Sequence, residues 1–268
     1  MKKSPIPMIV VLTVVIGVIA WFFVNHKPSN KTPDGAIKGS VACLRDDDIK
    51  GLLERVLTPD DYAKLKKDFE SKPKMSASDK AQFNAALTQI SADNAEDTIY
   101  QLIKPKLAEA QGGIAQIKSG IPSMIEGIVA MQGSTKDADK KTAQEMGTAI
   151  GKWIGDLKLD DEAKAKKAIG IVCSTVRKLK IKNADELDAL TFDQALDKGG
   201  KALAGVKKVL DIYGLSLNDT LGSVKVGKPE ISGETATVPV TSTMLGVTTT
   251  QSAKLKKTGD RWYVDIPK

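Results

Sequence analysis

The chain is predicted to be α+β, with an N-terminal transmembrane helix, a large α-helical region and a C-terminal four-stranded antiparallel meander packed on a helix. Three observations carry this expectation. Residues 8–24, MIVVLTVVIGVIAWFFV, hold no charge. From Asp46 to Tyr213 apolar residues recur three and four apart between repeated helix-start signals. After Gly214 the period drops to two, and valine, threonine and aromatic residues take over.

At about 1.5 Å per residue, the seventeen residues 8–24 reach roughly 26 Å, and residues 6–24 approach the 30 Å of a hydrocarbon core. Trp21, Phe22 and Phe23 fall at the far end, where aromatic rings favour the membrane interface. Cleavage after Val18-Ile19-Ala20 is the alternative, and it would release a soluble protein that begins on Trp-Phe-Phe-Val. Lys2 and Lys3 on one side are matched by Lys27 and Lys31 on the other, so the flanking charges hardly orient the span. Pro28, Ser29, Asn30, Pro33, Asp34, Gly35, Gly39 and Ser40 then read as a tether. The expected organisation is an anchor over 1–25, a flexible linker over 26–42, a helical domain over 43–191 and a helix-plus-sheet domain over 192–268.

The net charge of +7 divides unevenly, with +4 in residues 1–42, +2 in 215–268 and only +1 in the long middle. Lysines such as Lys64, Lys66 and Lys67 alternate with acids along helices, and no aromatic platform accompanies them. They therefore read as solvated faces and not as a nucleic-acid groove.

Within the helical region the starts are Thr58-Pro59-Asp60-Asp61, Ser76 with Asp79, Asn183 with Glu186, and Thr191. Gly112, Gly133 and Gly214 are the expected stops. One segment places Ala143, Met146, Ile150, Trp153, Ile154 and Leu157 on a single face beside Gly147, Gly151 and Gly155. A second carries Gly113, Gly120 and Gly127 among isoleucines and is expected to bend near Pro122. In both, the glycines are expected to admit a neighbouring backbone.

The chain has two cysteines, Cys43 and Cys173, the latter on the stripe of Ala165, Ile169, Val172, Val176 and Leu179. An even count behind an export signal predicts a Cys43–Cys173 disulfide, with ordinary buried thiols as the alternative. The same argument places the folded part in the periplasm, on a single-pass inner-membrane anchor.

Four strands are expected from VKVGKPEISG, ETATVPVTST, VTTTQSAKLKK and DRWYVDI. Trp262, Val264 and Ile266 share one face, as do Val247, Thr249, Gln251, Ala253 and Leu255. The long helix ending at Tyr213 is the expected cover.

The close LKKTGDRWYVD, behind a long helix and strands, resembles nuclear-transport-factor-like, or cystatin-like, α+β units of bacterial envelope proteins over 192–268. None of the pocket acids or histidines of that family's enzymes is matched, so the resemblance implies a fold and not an activity. The whole layout also resembles periplasmic immunity proteins that act against secreted antibacterial effectors.

The single histidine, His26, precedes the tether, which removes histidine-based triads, zinc sites and acid–base shuttles from the folded part. Asp46, Asp47 and Asp48 read as dipole-stabilising carboxylates at a helix start. The acids Asp156, Asp160, Asp161 and Glu162 lack the spacing of a calcium loop. Neither a phosphate loop nor a dinucleotide fingerprint follows a strand. No catalytic, cofactor-binding or metal residue is therefore assigned. The function expected is a membrane-anchored, periplasmic, non-enzymatic module that binds a protein, most specifically an immunity protein. An envelope assembly factor and a carrier of an apolar ligand are the alternatives. Contact residues are not separable beyond exposed polar positions on the sheet or between the helices, and the oligomeric state is not assigned.

Overall fold

The structure, a computed structural model, describes residues 31–131 and 137–265. Residues 8–24, including Trp21, Phe22 and Phe23, lie outside them, and so does His26. Among the described residues no helix is long and apolar enough to cross a membrane. These residues form ten helices followed by five strands in an α+β arrangement.

The first helix, α1 (Pro33–Arg45), occupies the stretch expected to be a tether. Its start is encoded locally. Thr32 accepts from the Gly35 N–H at 3.2 Å, Pro33 takes the first helical position, and Asp34 lies in the first turn. Pro33, Ala36, Ile37, Ser40 and Cys43 recur at helical spacing and are buried, so Gly35, Gly39 and Ser40 belong to a packed helix. Over 33–42 the linker expectation is corrected accordingly: the folded body begins by Pro33.

Helices α2 (Ile49–Val56), α3 (Pro59–Glu70), α4 (Ala77–Ser91) and α8 (Ala184–Asp188) start on the predicted caps or their equivalents. Thr58, Ser76 and Asn183 each accept a main-chain N–H three residues on. Helix α5 (Ala95–Met131) runs without interruption through Gly112, which is therefore not a stop, while Gly133 falls outside the described residues. It packs along α6 (Asp137–Asp156) and α7 (Glu162–Leu179). The glycine expectation is not met at Gly113 and Gly120 on α5. A side chain at Gly112, Gly113 or Gly120 would meet nothing within 4 Å, whereas Gly147 and Gly151 on α6 are buried.

The helical core gathers Tyr100, Ile114, Ile121, Ile150, Trp153, Ile154, Leu157, Ile169 and Cys173. Trp153 keeps its indole N–H satisfied by donating to the Tyr213 carbonyl at 2.7 Å. Val172, placed by the sequence on the inward stripe of α7, is 46% exposed. Arg177 at the end of α7 donates to the carbonyls of Ile90 and Ala92 and pairs with Glu96, fastening the α4–α5 turn.

Helix α9 (Phe192–Ile212) opens on a capping box between Thr191 and Gln194. It closes on Gly214 at φ 82°, with the Leu215 N–H returning to the Leu210 carbonyl at 3.0 Å. This helix was expected to cover the sheet. Its main neighbours are instead α7 and α2, and Leu210 is fully buried in the helical core. The predicted boundary at 191/192 thus runs through a continuous packing unit.

After α10 (Leu217–Gly222) come β1 (Lys225–Val226), β2 (Glu230–Ser232), β3 (Thr235–Met244), β4 (Val247–Thr258) and β5 (Arg261–Val264). All pairings are antiparallel, in the order β1-β3-β4-β5, with β2 also on β3. The expected first strand is broken in two at Gly227-Lys228-Pro229, where Pro229 has no N–H to give the ladder. Ala236, Val238, Ala253, Leu255, Trp262 and Val264 form the inner face, and α1 covers it with Ala36, Ile37 and Val41.

Candidate functional site

Three surroundings bring chemistry together, and α1 or the sheet that it supports builds each of them. The first is the turn from α1 to α2. Asp47 adopts φ 58°, and the Asp48 N–H returns to the Cys43 carbonyl at 2.8 Å, a Schellman closure with aspartate where glycine is usual. Asp48 then caps α2, its carboxylate accepting from the Gly51 N–H at 2.7 Å. Of the three aspartates, therefore, only Asp48 stands at a helix start. Asp46 closes α1 and Asp47 forms the bend.

Lys207 reaches this turn from α9 with a side chain only 4% exposed. Its ammonium donates to the carbonyls of Leu44 and Arg45 and lies 2.6 Å from the Asp47 carboxylate. A positive charge at the C-terminus of α1 answers carbonyls that the helix itself leaves open. Gly200 lets the backbones touch, because a Cβ there would lie 2.2 Å from the Asp47 carbonyl oxygen. No sequence signal marks Lys207, since its neighbours Lys201 and Lys208 look alike on paper.

The second surrounding is a hollow of about 650 Å³ beside that turn, lined by Arg45, Asp46, Asn218, Asp219, Gly222 and Ser223. Its lining is polar and open. Among the described residues no group of histidine, cysteine and carboxylate side chains is placed to hold a metal ion.

The third is the outer face of the β3–β4 hairpin. Register places Thr241 opposite Thr250 and Thr243 opposite Thr248. The hydroxyls of each pair are hydrogen-bonded, at 2.8 Å and 2.9 Å respectively. The apolar layer sealed by α1 lies on the opposite face, toward the far end of the hairpin at Ala236, Val238, Ala253 and Leu255. Strand alternation in TATVPVTST and VTTTQSAK carries this signal, and these threonines are among the exposed polar sheet positions that the sequence leaves unranked.

The predicted Cys43–Cys173 disulfide is not formed in the structure. Cys43 packs with Leu52 and Val56, whereas Cys173 lies in the helical core, so the two thiols belong to different clusters. Spacing in sequence carried no information on this separation, which arises because α1 turns toward the sheet. Burial, reinforced by the Glu96 charge, pushes the Cys173 thiol up from its ordinary value and keeps it protonated near neutral pH.

Comparison with known proteins finds no matching family model, no curated relative and no similar solved structure.

Proposed function

We propose that this chain is a membrane-anchored, non-enzymatic protein-binding module on the periplasmic side of the inner membrane, most specifically an immunity protein that neutralises an antibacterial effector. The hydroxyl-lined face of the β3–β4 hairpin is the observation that carries the binding reading. Thr241, Thr243, Thr248 and Thr250 make a patch of paired hydroxyls, bordered by Lys225 where β1 meets Thr241. Cross-strand hydrogen bonds already order it, which lowers the entropy lost when a partner binds. It offers donors and acceptors but no acid, base or activated nucleophile. An exposed strand face of this kind suits a protein surface, whereas small ligands take concave and mostly apolar sites. The polar lining of the hollow beside α1 lends little support to an apolar-ligand carrier. The membrane part of the reading rests on the uncharged stretch 8–24 and its Trp21-Phe22-Phe23 end.

The test is capture from envelope extracts, and from the products of neighbouring genes, on an immobilised chain that begins at Lys31. One specific protein is expected, retained by the unaltered chain and lost from the double variant Thr248→Lys, Thr250→Lys. Recovery of no specific protein across all candidates would reject the reading.

A further inference from the structure

Among the described residues, helix α3 is attached to the body unlike any other helix. Ten of its twelve residues are exposed, and none is buried. Each of the other helices buries at least one side chain. Only Tyr62 and Phe69, two turns apart on one face, are half-buried, and both rest on the ring of Phe192 at the first position of α9. The ring centroids are 5.5 Å apart in each pair, within the range of favourable aromatic contact. Phe192 is 3% exposed, so α3 is part of what hides it from water.

No hydrogen bond or ion pair among the described residues joins α3 to another element. Thr58 with Asp61, the Ser71 hydroxyl with the Asp68 carbonyl, and Lys66 with Glu70 all act within the helix and its ends. Helix α4 makes the contrast. It buries only Leu87, but Lys80 pairs with Asp185 and Asp188, and Asn84 accepts from the Ala184 N–H at 2.8 Å, which ties it to α8. The chain on both sides of α3 is held more firmly than α3 itself. Leu57 packs against the cluster of Cys43, Leu52 and Val56. Downstream, the Met75 N–H donates to the Asp188 carboxylate at 3.1 Å, and that side chain is 7% exposed.

We infer that α3 is a strap that lifts off Phe192 as a unit, between fixed points at Leu57 and Met75, while the rest of the molecule stays folded. The main contacts that oppose opening are the two aromatic ones. A free helix of this length is marginal in water, so a lifted α3 loses its main-chain hydrogen bonds as well. No residue of α3 belongs to the helical core or to the layer under the sheet, and both survive its departure. The capping box of Thr191 and Gln194 holds the start of α9 in either state. Opening bares the rings of Tyr62, Phe69 and Phe192 next to the Lys50–Asp193 ion pair, and closing hides them again. The strap thus gates an aromatic surface at one end of α9. It uses neither the anchor nor the threonine face, so its failure would leave the binding proposal standing.

Amide hydrogen exchange of the full chain in mild detergent, read by mass on peptides covering 63–70 and 196–210, tests the strap. Amides of 63–70 are expected to exchange at least about a hundredfold faster than those of 196–210. Urea below the unfolding transition is expected to speed 196–210 and to leave 63–70 nearly unchanged, because a local opening exposes little surface. Phe69→Ala is expected to speed 63–70 about tenfold further, whereas Lys64→Ala, which removes an exposed side chain from the same helix, is expected to leave it unchanged. Exchange of 63–70 at the rate of 196–210, accelerated in step with it by urea, would overturn the inference. So would a Phe69→Ala chain in which 63–70 exchanges as slowly as in the unaltered one.

Discussion

Lys207 is a buried cation that the fold tolerates because three oxygens converge on it. Two are carbonyls that α1 cannot satisfy itself, and the third is the Asp47 carboxylate at 2.6 Å. Charges in such surroundings are kept only when every proton finds an acceptor. Gly200 is the other half of the junction, and two adjacent glycines on α9 make the point testable. A side chain at Gly200 would strike the Asp47 carbonyl, whereas one at Gly199 would reach only ordinary contact, 3.9 Å from Ile49. Gly200→Ala is expected to destabilise by about 3 kcal/mol. Gly199→Ala is expected to gain up to about 1 kcal/mol from helix propensity. Urea denaturation of the two variants checks the pair, and equal effects would mean that the close approach is absent.

Helix α1 shows why local signals and composition have to be weighed together. Thr32-Pro33-Asp34 carries the same start grammar as Thr58-Pro59-Asp60. Two glycines and a serine outweighed it at the first site, although Ala36, Ile37, Ser40 and Cys43 kept helical spacing. The other caps, the inward face of α6 and the antiparallel hairpins were legible because local hydrogen bonds and periodicity decide them. Which helix covers the sheet was not legible. Both α1 and α9 offer an apolar stripe, and only tertiary packing chooses between them. The threonine face was partly legible from alternation. If α1 is the cover, Ile37→Ala removes a core side chain and is expected to destabilise by about 3 kcal/mol. A tether residue would tolerate the change, so a thermal midpoint unchanged by Ile37→Ala would sink the assignment.

At the scale of the molecule, exposed ion pairs add links between elements. The carboxyls of Asp185 and Asp193 are held below the usual carboxylate range by hydrogen bonds from Lys80 and Lys50, which join α4 to α8 and α2 to α9. Lys166 does the same for Glu162 within α7 and also pairs with Asp97 on α5. A lowered folded-state value means that the unfolded chain binds the proton more readily. The stabilisation is complete above the unfolded values, near pH 4, and fades as pH falls through the lower folded ones. Solvent screening keeps each contribution small. The denaturation midpoint is expected to be level between about pH 5 and 7 and to fall below about pH 4. A midpoint that rises on acidification would contradict these pairs. The seal of the C-terminal sheet by the first helix also has a consequence in time. Ile37 leaves the ribosome roughly two hundred residues before Leu255 and Trp262, so at the usual rates of synthesis α1 waits on the order of ten seconds or more for the strands that it packs against. During that interval Ala36 and Ile37 lack the strands that bury them, while Cys43 already has Leu52 and Val56 of α2 to pack on.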